Sequence, residues 1–278
     1  MIIDLLYAVI LGIIEGITEW LPISSTAHII LMEKVFYGLN SPPSFSDEFL
    51  LLFDVLIQLG AIIAVVIIYF KKLYPFKYND KEYSKNDKFN IWFKVMISCI
   101  PIVIIGLLFD DIITEKFYNL PTIAFTLILY GIIFIIVENY NKKRLFKVTD
   151  VNSLSVKKSL SIGLIQVLAL IPGTSRSGVT IIYSSILGCD RKTASEYSFF
   201  LSIPIMFGAS IYKLGKYLVN YQIVLKEIII LLISMIVAML VSLVVIKKLL
   251  IYIKEHSFKV FGFYRIILGV IILVVWFL

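Results

Sequence analysis

Leu21-Pro22-Ile23-Ser24-Ser25-Thr26 and Ile171-Pro172-Gly173-Thr174-Ser175-Arg176 decide how this sequence is read. Each stretch interrupts an apolar, helix-like segment with proline and a run of hydroxyl side chains. The two align at an offset of 150 positions, with Pro22 on Pro172, Ser24 on Thr174 and Ser25 on Ser175. A one-residue slip upstream brings Gly12 onto Gly163. The chain therefore carries a weak internal repeat.

Around these breaks lie six apolar runs, at 49–70, 91–109, 120–138, 193–213, 223–246 and 258–277. Each is close to the roughly 20 residues that cross a bilayer. The sequence is 60% hydrophobic and 16% charged, whereas soluble domains are about 25% charged. An all-α integral membrane protein follows, and residues 1–278 form one membrane domain because no connection is long or polar enough to fold separately. The first segment carries Asp4, Glu15 and Glu19 without a basic start or a small-residue cleavage site, so it is expected to stay in the mature chain. Cys99 and Cys189 have no partner spacing, which argues against a disulfide or a metal site. The net charge of +7 is scattered over short connections, so topology explains it better than nucleic acid does.

The connection 71–94 holds Lys71, Lys72, Lys77, Lys81, Lys85, Lys88 and Lys94, and the connection 139–158 holds Lys142, Lys143, Arg144, Lys147, Lys157 and Lys158. Both are expected in the cytoplasm. Between them, 110–119 has Lys116 against Asp110, Asp111 and Glu115 and is expected outside. Arg191, Lys192, Lys247, Lys248, Lys254 and Lys259 then fall inside, with 214–222 and both termini outside. This count closes only if segments 2–38 and 155–189 enter and leave on one side as re-entrant helix pairs. Each half, approximately 1–140 and 150–278, is then one such pair followed by three crossings. Three is odd, so the halves form an inverted repeat with both loop tips near the midplane. Irregular backbone at that depth has to be satisfied by protein or by a water-filled cavity.

The chemistry gathers at the breaks. Glu15 and Glu19, four apart, share a helix face with Gly12 and Gly16, whose lack of side chains permits close helix approach. Carboxylates in an apolar helix require a cation, a proton or a function. Ser24 or Ser25 can cap the half-helix that follows, whose N-terminus favours an anion, and His28 lies within its first turn. The second break supplies Gly173, Thr174, Ser175, Ser177 and Gly178 around Arg176, the side chain best suited to hold phosphate bidentately. Glu19 can deprotonate a water or a serine, His28 can protonate a leaving oxygen, and Arg176 can stabilise charge building on phosphorus.

Glu-Gly-x-Thr-Glu-Trp-Leu-Pro-x-Ser-Ser-Thr-x-His from Glu15 to His28, and Pro-Gly-Thr-Ser-Arg-Ser-Gly from Pro172 to Gly178, resemble the two signature stretches of the undecaprenyl-diphosphate phosphatase family of the bacitracin-resistance type. The resemblance runs over essentially the whole chain. It implies removal of the terminal phosphate from a C55 polyprenyl diphosphate at the outer face of the bacterial cell membrane. It also implies functional roles for Glu15, Glu19, Ser25, His28 and Arg176, with Ser24, Thr26, Gly173, Thr174, Ser175 and Ser177 as phosphate contacts. A divalent cation, Mg or Ca, is implied as a stimulant, for which Glu15 and Glu19 are the available carboxylates. Expected partners are the lipid diphosphate, membrane lipids and, as an open option, a second copy of the chain in a homodimer. Ala27 stands where the family commonly has glycine. An inverted repeat with broken helices also suits a transporter of an anionic polyprenyl phosphate. The Glu, Ser and His residues favour hydrolysis, since carriage alone needs no base. A phosphatase built on two catalytic histidines fits poorly, because His28 and His256 are the only histidines.

Elsewhere, Asp54 and Gln58, four apart within the crossing 49–70, suit either support of the site or pairing with another helix. Tyr264 and Arg265 are expected near the inner surface, with the arginine snorkelling. Glu196 reads as a helix-start charge, His256 as a headgroup-facing residue and Trp276 as an interfacial anchor.

Overall fold

The computed structural model describes residues 2–38, 43–76, 83–142 and 144–277. Lys77, Lys81 and Lys143, counted above for topology, lie outside the described residues. Among the described residues six helices are long and apolar enough to cross a membrane: α3 (Asp47–Ile68), α5 (Lys85–Phe117), α6 (Leu120–Asn141), α9 (Arg191–Asn220), α10 (Leu225–Glu255) and α11 (Lys259–Phe277). Each coincides with one of the six apolar runs to within two residues at the ends where it falls short. Several extend further, because polar caps rather than the end of the apolar run stop them. Ser46 caps α3 through the Phe49 amide, Ser84 and Asp87 form a capping box on α5, and Asp190 caps α9 through the Thr193 amide. The remaining α-helices are α1 (Ile2–Thr18), α2 (Ser25–Gly38), the single turn α4 (Phe70–Leu73), α7 (Val156–Gln166) and α8 (Arg176–Ile186). Short 3-10 turns occupy Val151–Ser153 and Val167–Leu170. Among the described residues there is no β-strand.

The helices interleave between the two halves of the chain. Helix α1 packs on α10 as α7 packs on α5, and α3 packs on α10 as α9 packs on α5. Helices α3 with α9, and α6 with α11, also pack together across the two halves. Gly12 makes the first approach possible, since a Cβ there would stand 2.7 Å from the carbonyl oxygen of Ser234 on α10. Gly163 plays the same part for α7, pressed against the backbone of Ser98 on α5.

Charged side chains mark two opposite ends. At one end Lys213 pairs with Asp110 at 2.8 Å, Lys216 reaches Asp111, and Lys226 pairs with Asp4 at 2.8 Å. Asp4 at the start of α1 also accepts from the backbone and hydroxyl of Ser44, after α2, so both open ends of the α1/α2 pair are tied together there. At the other end Lys72 bonds Glu196 at 2.7 Å and Asp150 at 3.2 Å, and Arg191 bonds Glu138. The open ends of the α7/α8 pair meet at that second end, where Lys158 Nζ donates to the Leu187 carbonyl at 2.8 Å. Glu196 is therefore not a free helix-start charge: it is buried and neutralised by Lys72 from 124 residues away.

The register of the two breaks differs from that of the sequence alignment. Helices α2 and α8 begin at Ser25 and Arg176, and the preceding residues Ser24 and Ser175 both have positive φ, 76° and 68°. Ser24 Oγ accepts from the Ala27 amide and Ser175 Oγ from the Gly178 amide. These pairs are 151 positions apart, as are Gly12 and Gly163, so no slip is needed. Matching Pro22 to Pro172 shifts the alignment by one, because Pro22 lies two residues before its positive-φ serine and Pro172 three residues before its own.

Candidate active site

The two breaks meet. Arg176 Nη2 donates to Glu19 Oε1 at 2.9 Å, and Ser177 Oγ donates to the Glu19 carbonyl at 3.1 Å. Glu19 Oε2 accepts from Ser25 Oγ at 2.9 Å, which places a hydroxyl, a carboxylate and a guanidinium in one line. The second guanidinium nitrogen, Nη1, is held by the Ser198 carbonyl at 2.6 Å, so α9 fixes the plane of Arg176. A cavity of about 190 Å³ lies against this line. Its polar wall is Glu19, Ser24, Ser25, Thr26, Ser175, Arg176 and Gln58; Gly173 and Pro172 contribute backbone, and Ile102, Ile205 and Met206 close the apolar side. Pro101 and Pro204 lie inside α5 and α9 immediately before those apolar residues. A proline removes one helical hydrogen bond and bends the helix, here just where the cavity needs room.

Arg265 holds the two tips together. It is fully buried, and its guanidinium donates to the carbonyls of Pro22 at 3.1 Å, Gly173 at 2.8 Å and Thr174 at 3.0 Å. The expectation of a snorkelling surface arginine is corrected: three inward-turned carbonyls with no helical partner attract a fork of donors more strongly than water does at a helix end. Thr126 adds a fourth tie to the Pro172 carbonyl at 2.8 Å. Neither Arg265 nor Thr126 carries a local signal in the sequence.

The expected site residues divide. Glu19, Ser24, Ser25, Thr26, Gly173, Ser175 and Arg176 line the cavity. Ser177 is spent on the carbonyls of Glu19 and Leu21, and the hydroxyl of Thr174 is buried without a partner away from the cavity wall. Glu15 is fully buried and neither of its oxygens has a hydrogen-bond partner. His28 stands outside the cavity, with Nδ1 2.7 Å from the Ser24 carbonyl and Nε2 2.7 Å from the Tyr264 hydroxyl. Of the two supporting candidates on α3, Gln58 reaches the cavity. Asp54 faces a larger vestibule of about 550 Å³ at the Asp110 end, and Leu170 borders both spaces. As a cation site the donors do not fit. Both oxygens of Glu19 are engaged, Glu15 stands alone, and among the described residues no group of three or more metal-ligating side chains forms.

Fold and site together define a polytopic helical membrane protein that brings a serine, a carboxylate and an arginine to one buried cavity between two broken helix pairs. The family model for the bacitracin resistance protein BacA matches residues 8–271, and the chain belongs to that family. Similar curated proteins include the undecaprenyl-diphosphatase of Acetivibrio thermocellus, 52% identical over 97% of each chain. The undecaprenyl-diphosphatase of Enterococcus faecalis is 48% identical over 98% of this chain and 97% of its own. Undecaprenyl-diphosphatase 1 of Clostridium acetobutylicum is 49% identical over the same shares.

Proposed function

We propose that this protein is a membrane phosphatase that hydrolyses undecaprenyl diphosphate to the monophosphate and inorganic phosphate, returning the lipid carrier to cell-wall synthesis. The observation that carries the reading is the hydrogen-bonded line Ser25–Glu19–Arg176 at the cavity wall. A serine whose proton already points at a carboxylate, beside a guanidinium and two half-helix N-termini, is arranged for attack on phosphorus. The full-length likeness to proteins named undecaprenyl-diphosphatase supplies the substrate.

In this reading Ser25 Oγ attacks the terminal phosphorus while Glu19 takes its proton. The bond from that phosphorus to the bridging oxygen breaks, and polyprenyl phosphate leaves. The departing polyprenyl phosphate takes the proton from Glu19; the freed carboxylate then deprotonates water, which attacks the phosphoserine, and as the phosphorus–Oγ bond breaks inorganic phosphate leaves and Glu19 returns the proton to Ser25. Arg176 compensates the charge on the equatorial oxygens, and Glu15 supports the base from one turn behind.

The re-entrant course of α1/α2 and α7/α8 and the inverted repeat belong to the same proposal, supported by the tied open ends and the reciprocal packing of the halves. The site is assigned to the outer face. The vestibule that shares Leu170 with the cavity lies at the end where 110–119 carries more acid than base. Release of phosphate from C55 diphosphate by the purified protein in detergent tests the reading. Binding without release would replace it with carriage of the anionic lipid.

A further inference from the structure

The turn that carries Ser25 is strained, and something has to hold it. A non-glycine residue in the left-handed region costs on the order of 1 kcal/mol, and Ser24 sits there at φ 76° immediately before Ser25. Its counterpart Ser175, at φ 68°, is flanked by carbonyls that Arg265 and Thr126 hold. In the first half Arg265 reaches only Pro22, and the Ser24 carbonyl is held by the His28 ring instead. At the structural offset His28 corresponds to Val179, so the imidazole is an addition confined to the half that carries the serine.

The ring's protonation follows from its partners. A backbone carbonyl only accepts, so Nδ1 at 2.7 Å from the Ser24 oxygen bears a proton. In the neutral ring this is the single proton. Nε2 is then a lone-pair acceptor, and the Tyr264 hydroxyl at 2.7 Å donates to it, with the two rings parallel to within 2°. The partner of one ring nitrogen sets the tautomer at the other.

We propose that Tyr264 is a positioning residue for the nucleophile: its hydroxyl fixes His28 as the Nδ1–H tautomer, whose Nδ1–H pins the Ser24 carbonyl and so aims Ser25 Oγ at Glu19. This rests on the phosphatase reading, in which Ser25 attacks phosphorus. It gives His28 a part that needs no proton transfer to the leaving group, in keeping with its place outside the cavity.

The test uses the full chain in detergent. With His28 and His256 as the only histidines, ring ¹⁵N spectra of histidine-labelled protein resolve both, and His256→Gln assigns them. Wild type is expected to show His28 protonated at Nδ1 and bare at Nε2, and Tyr264→Phe to move the Nε2 resonance. In turnover, Tyr264→Phe and His28→Ala are expected to lower kcat about tenfold to a hundredfold with little change in KM, the scale of a misplaced reacting group. His28→Asn keeps an N–H that can reach the Ser24 carbonyl but offers no titratable proton, so it should recover most of the His28→Ala loss. An Nε2–H tautomer in wild type, an unmoved Nε2 resonance in Tyr264→Phe, or His28→Asn as slow as His28→Ala overturns the proposal. Wild-type protein with the expected tautomer and no phosphate release would count against the phosphatase reading alone.

Discussion

Glu19 and Arg176, 157 residues apart in the chain, form an ion pair at 2.9 Å with side chains only 7% and 9% exposed. One partner comes from each broken segment, so the pair exists only when both tips are seated. The remaining donors of Arg176 are Nη1, fixed on the Ser198 carbonyl, and Nε, buried without a partner. An arriving phosphate therefore meets a guanidinium already held flat. Arg176→Lys keeps the charge but cannot span Glu19 and Ser198 together. Its kcat/KM is expected to fall about 100-fold or more, the roughly 2.7 to 4 kcal/mol of one transition-state donor. Near-wild-type turnover would remove Arg176 from the site.

Ser25→Ala deletes the hydroxyl that Glu19 receives. Turnover should vanish while binding of the lipid diphosphate survives, and Glu19→Gln should depress kcat far more than KM. Rapid acid quenching with terminally labelled diphosphate should leave label on the protein as phosphoserine. Substantial turnover by Ser25→Ala would instead make Glu19 the base for direct attack by water.

Orientation is open to cysteine labelling, since the native Cys99 and Cys189 are buried and contribute little background. Lys116 and Lys147 are both exposed and lie on connections assigned to opposite faces. An impermeant thiol reagent on intact cells should label Lys116→Cys and spare Lys147→Cys until the membrane is opened. The reverse pattern would turn the site toward the cytoplasm.

The Lys72 cluster sets an acid limit. Burial alone would raise the Asp150 carboxyl, but the Asn152 amide and Lys72 outweigh it and hold the group below its ordinary 3.8. A carboxyl lowered in the folded state stabilises the fold above its unfolded pKa, and that contribution fades as pH falls below about 4. Asp150→Asn should melt lower at neutral pH and show a flatter loss of thermal stability below pH 4 than wild type. Lys72→Met leaves the buried Glu196 with only the exposed Lys192, 3.9 Å away, for which a destabilisation of up to about 3 to 5 kcal/mol is expected in thermal melts.

The spans were legible because hydropathy over some twenty residues survives any tertiary context. The two breaks were legible because proline and clustered hydroxyls have no other business in an apolar run. What stayed hidden depended on partners far along the chain. Arg265 reads as an ordinary helix-end arginine until three carbonyls, at Pro22, Gly173 and Thr174, turn toward it. Lys72 counts as one more lysine of a connection until Glu196 and Asp150 bury it. His28 sits inside a recognisable motif, yet its direction is decided by Tyr264, 236 residues away.

The packing of α1 on α10 bears on how the chain is made. The Ser234 hydroxyl donates to the Ala8 carbonyl across 226 residues. At roughly 5 to 20 residues per second of synthesis, the partner surface emerges some ten to forty seconds after α1. For that interval the first broken pair has α3 beside it but lacks α10, the helix on which Gly12 and Gly16 of α1 close, and Glu15 is buried without a hydrogen-bond partner. The nascent first half is thus a natural client for the insertion machinery, and slowing translation between residues 141 and 225 should lengthen its association with an insertase before any phosphatase can form.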